Sequence, residues 1–194
     1  RRDICSLSGL AATERCPASR REWLPPGEPA QSCFWHHIEE GETIVEARDD
    51  IVQKLGRALP LAIKIAPDLE PEAIRGIARV LVARRVDAVI ATNTTIVRDA
   101  VASLPHGNEA GGLSGRPVFE RSNAVVRTLA KALDGALPII GVGGILSGGD
   151  AREKTASGAS LVPIYTGLVY RGPSLAGECV RALAAMGSAM GSEP

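Results

Sequence analysis

From Ile44 to the end, apolar residues alternate between short strand-like runs and helical stripes. Ile44, Val45, Ile51, Val52 and Leu55 recur at helical spacing, and Gly56 with Pro60 closes that segment. Leu61 to Ala66 then reads as a strand with two distinct faces. Leu61, Ile63 and Ile65 share one face, and Ala62, Lys64 and Ala66 share the other. The next helix has Pro71 in its first turn and Ile74, Ile77 and Leu81 as its buried stripe. A second strand, Ala88 to Ala91, runs into the polar quartet Thr92-Asn93-Thr94-Thr95. After a long glycine-bearing connection from Asp99 to Pro117, a helix turns Val125, Val126, Leu129 and Leu133 inward. A third strand, Leu137 to Val142, stops on Gly143-Gly144. A short helix is predicted from Asp150, as N-cap, to Ala156, with Glu153 three residues on. The apolar run Leu161 to Gly167 predicts a last strand, and a helix over 174–186 completes the pattern.

Counted from residue 44, the order is one helix followed by four strand–helix repeats. That is the parallel α/β signature, with right-handed crossovers. An open doubly wound sheet and part of a (β/α)8 barrel are both compatible. Two consecutive strand ends rich in backbone donors, at Gly143-Gly144 and Tyr165-Thr166-Gly167, favour the barrel, because barrels build phosphate sites after their last two strands.

Residues 1–43 have a different texture. Four prolines and charges of both signs are scattered through them without sustained periodicity, so an irregular leader is expected there. His36-His37 lies in it beside Glu39 and Glu40, but adjacent histidines point in different directions. A solvated pair is therefore expected, and no metal site. The four cysteines show no C-x-x-C spacing, which suits reduced thiols in a cytosolic setting. Lys+Arg and Asp+Glu balance at 22 each and aromatics make up 3%, so neither charge nor stacking surface points to nucleic acid. No apolar run is long enough to span a bilayer.

Candidate chemistry gathers at the strand ends. A lysine between two alanines on a buried strand is costly unless an anion meets it, which singles out Lys64. A polar quartet at the end of a parallel strand lies where α/β folds place ligand groups, which singles out Thr92 to Thr95. The glycine pair lets a ligand approach the backbone, and its N–H groups suit an anion. Taken alone, the quartet and the glycine pair each also fit an ordinary turn.

Taken together, five segments resemble dihydroorotate dehydrogenase of the quinone-dependent class 2. They are Ile63 to Leu69 (IKIAPDL), Ile90 to Thr95 (IATNTT), Asn108 to Pro117 (NEAGGLSGRP), Ile139 to Ile145 (IIGVGGI), and Gly158 to Gly167 apart from one position. The resemblance runs from residue 44 to 194 in unbroken order and implies the C-terminal half of a flavin-binding (β/α)8 barrel. It implies FMN as cofactor, with Lys64, Thr92, Gly115, Gly144, Tyr165 and Thr166 at the flavin and Asn93 and Thr94 at the pyrimidine. It also implies oxidation of dihydroorotate to orotate in pyrimidine biosynthesis, with a membrane quinone reoxidising the flavin. Family members lie on the cytoplasmic side, peripheral to the membrane.

Departures from the family pattern set further expectations. The proton-abstracting serine lies in an Asn-x-Ser-x-Pro-Asn-Thr-Pro-Gly stretch that nothing in this chain matches, so no catalytic base is assigned. The first four strands and the quinone-tunnel helices also lack counterparts here. Pro163 replaces the family's usual glutamine, and Thr155 stands where the short helix would bury an aliphatic residue. A barrel needs about 250 residues, so the chain reads as the C-terminal piece of a longer enzyme. Its open half-barrel edges invite self-association. The competing expectations are a catalytically inert, flavin-binding half barrel and a different phosphate-binding barrel enzyme.

Overall fold

A computed structural model describes residues 44–57 and 59–190. The expected leader over 1–43, with His36-His37, lies outside the described residues. A helix over 44–55 (α1) precedes β1 (Ala62–Ile65), α2 (Pro71–Ala83) and β2 (Ala88–Ala91). A 3-10 turn, Arg116–Val118, leads into α3 (Phe119–Leu133). β3 (Ile139–Gly141), α4 (Gly148–Ala156), α5 (Thr166–Arg171) and α6 (Ser174–Met190) follow.

The strands form one parallel sheet in the order β1-β2-β3. Register aligns Ile63, Val89 and Ile139, and one step on it aligns Lys64, Ile90 and Ile140. The first row packs against α2 and α3, in a core with Ile65, Ile74, Ile77, Leu81, Val125, Val126, Leu129 and Leu133. The stripes of α2 and α3 and the face of β1 read from the sequence are thus the ones turned into the core, whereas the stripe expected on α1 is not buried, Ile51 and Leu55 being exposed. A second cluster, Ile145, Ala151, Leu175 and Cys179, joins α4 to α6. Asp87 ties the start of β2 to that of β1, accepting from the Leu61 amide at 2.7 Å and from Arg48 of α1 at 3.3 Å.

Two expectations need correction. The short helix is capped by Ser147, whose hydroxyl accepts from the Asp150 amide at 3.1 Å; Asp150 is therefore the third helical residue, not the cap. The strand expected over 161–167 survives as a single parallel bridge between Ile140 and Leu161. Leu161 accepts from the Gly141 amide at 2.7 Å and donates to Ile139 at 3.4 Å. In a parallel ladder the next bond would run from the amide of residue 163 to the carbonyl of Gly141. Residue 163 is proline and has no N–H, so the ladder stops there. The chain then enters α5 at Thr166, with Tyr165 as its cap residue.

Candidate functional site

The strand ends meet at one edge of the sheet. Lys64 is half-buried on the face turned away from α2 and α3, in register with Ile90 and Ile140. β2 ends at Ala91, and the Ala91–Thr92 peptide is cis. Buried Thr92 donates its amide to the Val142 carbonyl at 3.0 Å, and Asn93 donates its amide to Ile65 at 2.8 Å. These bonds fasten the polar quartet across the ends of both neighbouring strands. Thr95 is buried, its hydroxyl donating to Asp68 at 2.6 Å while the Ile96 amide donates to the same carboxylate at 2.9 Å.

The long connection folds back over this edge. Thr95 and Leu113 exchange backbone bonds of 3.0 and 2.7 Å in an antiparallel bridge. Gly112 lies against Thr94 so closely that a Cβ there would come within 1.8 Å of the threonine hydroxyl. At Gly115 a Cβ would touch the Thr166 methyl at 3.2 Å, and the Thr166 hydroxyl donates to Ser114 at 3.1 Å. Gly144 adopts φ +72°, and a Cβ there would lie 2.5 to 2.9 Å from Cβ, Cα and N of Phe119. Only glycine permits both that φ and that approach. Gly167 rests on the Ile145 carbonyl, which a Cβ would meet at 2.0 Å. Gly115, Gly144 and Thr166 are thereby drawn together. Tyr165 adds its backbone here, its side chain being 81% exposed.

Among the described residues the amides of Gly143, Gly144 and Thr166 donate no hydrogen bond. Unpaired amides at one edge suit an anionic phosphate, and an ammonium on the open face suits a ring that gains negative charge. The donor set therefore fits a flavin mononucleotide. No group of three or more His, Cys, Asp or Glu among the described residues could hold a metal ion.

Two charged side chains behind the edge escaped the sequence reading. Arg116 binds Asp150 through two 3.0 Å bonds, and the same carboxylate accepts from the Leu146 amide at 2.9 Å. Burial alone would raise the Asp150 carboxyl, but the bonds from Arg116 and Leu146 outweigh it and hold it below the usual range. Lys154 is 0% exposed, where the sequence singled out its neighbour Thr155, which is half-buried. Burial pulls the Lys154 ammonium down to about 8. Its Nζ donates to Ser122 at 2.9 Å and lies 5.0 Å from the centre of the Phe119 ring. A lysine beside Glu153 in a polar helix reads as solvated. Only Gly141 hints otherwise, since the lysine stem fills the space its missing Cβ leaves, with Cγ 2.8 Å from that position.

The sequence model of the dihydroorotate dehydrogenase family matches residues 37–186. The chain is 64% identical over 137 residues to dihydroorotate dehydrogenase (quinone) of Thiobacillus denitrificans, covering 71% of this chain and 41% of that protein. It is 56% identical over 149 residues to the Burkholderia multivorans protein of the same name, covering 75% and 43%. The fold is similar to Eimeria tenella dihydroorotate dehydrogenase in its ligand-free crystal structure, with a TM-score of 0.61 and 42% identity over 66% of this chain and 35% of that one. For the same enzyme in complex with ferulenol the TM-score is 0.63, with 41% identity over 70% and 35%. The chain thus spans less than half the length of these relatives, and its parallel strands alternating with helices match part of their α/β fold. By its sequence model, its relatives and its fold, it belongs to the dihydroorotate dehydrogenase family.

Proposed function

We propose that this chain carries part of the flavin and pyrimidine site of a quinone-dependent dihydroorotate dehydrogenase acting in pyrimidine biosynthesis. The observation that carries the reading is the convergence of Gly115, Gly144 and Thr166 on one sheet edge, with Lys64 on the face the helices leave open. FMN, when bound, supplies the acceptor for the hydride that leaves dihydroorotate as orotate forms. The amides of Gly144, Tyr165 and Thr166 would hold its phosphate, with Gly115 against the cofactor. Lys64 would stabilise charge on the reduced ring, and Thr92 would hydrogen-bond the ring. Asn93 and Thr94 would orient the pyrimidine, with Gly112 fixing the threonine from behind. Electrons would pass to a membrane quinone through a segment that this chain does not match. No helix among the described residues is long and apolar enough to cross a membrane.

A second reading, an inert flavin-binding half barrel, is favoured by Pro163, which ends the ladder at Leu161 and leaves the sheet open. Such an edge favours self-association. The test is FMN binding and dihydroorotate turnover with a soluble quinone analogue, using the full chain and its Lys64→Ala variant. Bound flavin with turnover supports the first reading, and bound flavin without turnover the second. Flavin retention and redox behaviour unchanged in Lys64→Ala would refute the role given to that lysine.

A further inference from the structure

Lys154 is the largest fully buried side chain among the described residues. Its stem passes under β3 through the space at Gly141, and its ammonium ends on one hydroxyl, that of Ser122. No carboxylate of the described residues comes within ion-pair distance of it. The neighbouring cation, Arg116, has Asp150 to itself in a paired, partly exposed bridge. A buried ammonium with a single neutral partner is expensive unless an anion offsets it.

The position of that charge suggests the anion. Ser122 donates onward to the Val142 carbonyl at 2.6 Å, the same oxygen that takes the Thr92 amide at 3.0 Å. Its hydroxyl lies 3.4 Å from where a Cβ of Gly143 would stand. One hydroxyl therefore separates the ammonium from the glycine turn. Phe119, whose ring lies 5.0 Å from the ammonium, presses its backbone on Gly144.

We propose that Lys154 is the buried counter-charge of the phosphate end of the site: held beneath the Gly143-Gly144 turn by Ser122, it attracts a phosphomonoester dianion bound there. Through Ser122 and Val142 it also positions that turn against the Thr92 loop. The proposal rests on reading the turn as the FMN phosphate site. Charged neighbours are Glu153 and Asp150 on α4 and Glu120 on α3, which favour the ammonium, and Arg127 on α3, which opposes it. Arg116 lies across the Phe119 ring, and β3 contributes no charge.

The test compares FMN with riboflavin, which lacks the phosphate, by flavin fluorescence titration of the full chain from pH 7 to 10. Wild type is expected to bind FMN more tightly. Lys154→Met should weaken FMN about tenfold while leaving riboflavin within about twofold. A bound dianion raises the lysine above its free value of about 8, so the FMN preference should be full below that pH and decline above it. Titration of the isoalloxazine ring is common to both ligands and cancels in the ratio. Equal weakening of both ligands would mean a merely structural lysine, and an undiminished FMN preference in the variant would mean no role at all; either overturns the proposal. Should Lys154→Met fail to fold, the wild-type ratio against pH decides, and a flat ratio refutes. A wild-type chain that does not distinguish the two ligands refutes instead the reading of the turn as a phosphate site.

Discussion

Gly144→Ala probes the turn on which the site is built, and Gly135→Ala is its natural control. Both glycines have left-handed backbones, φ +72° and +80°, but a Cβ at Gly135 would meet nothing within 4 Å. The conformational penalty for an L-residue there is about 1 to 2 kcal/mol and should be shared by the two variants. Only at position 144 does the new methyl meet Phe119 at 2.5 to 2.9 Å, two of the three contacts being backbone atoms that cannot rotate aside. Overpacking of this kind adds about 1 to 3 kcal/mol. With a urea slope of about 2 kcal/mol per molar, the midpoint should fall about 0.5 to 1 M for Gly135→Ala and about 1 to 2.5 M for Gly144→Ala. Far-ultraviolet circular dichroism along a urea series measures both. Equal shifts would refute the reasoning, because they would leave no cost for the contact with Phe119.

Asp150 should make the fold acid-sensitive. Its carboxyl is held below 3.8, so the stability it contributes is present above that value and is lost as pH falls toward its folded value. Arg116→Met should flatten the fall in urea midpoint between about pH 5 and 3, and an unchanged slope would show that the bridge carries none of it. Pro163→Gln restores the N–H that faces the Gly141 carbonyl. One more ladder bond is worth about 0.5 to 1.5 kcal/mol, and the amide of residue 163 should gain protection from hydrogen exchange. No protection there would mean that something other than the missing donor turns the chain away.

The parts of the molecule legible in its sequence are those decided locally. Alternation along Leu61 to Ala66 put Ile63 and Ile65 under the helices and Lys64 opposite, because the strand period allows no other division. The stripe Ile74, Ile77, Leu81 followed from helical spacing in the same way. Non-local effects decided the rest. Leu161 to Gly167 is apolar enough for a strand, but its pairing depended on a donor that Pro163 lacks. Ser147 and Asp150 both suit an N-cap, and the Leu146 amide bound by Asp150 settles which one serves. Lys154 is buried only because Phe119 and Ser122, more than thirty residues earlier, arrive to cover it. At the site, the order and spacing of the glycine motifs carried the resemblance, while the contacts that join them are properties of the folded chain.

The loop after β2 has one further property. Arg98 grips the carbonyls of Glu109 and Gly111, so the span between them is cinched into a hoop. Its foot is riveted by the Thr95–Leu113 bridge and by Asp68, while Gly112 leans on Thr94. Such a hoop cannot swing from its foot like a hinged flap. To change shape it must first release Arg98, so the set of the loop depends on a guanidinium latch as much as on its foot.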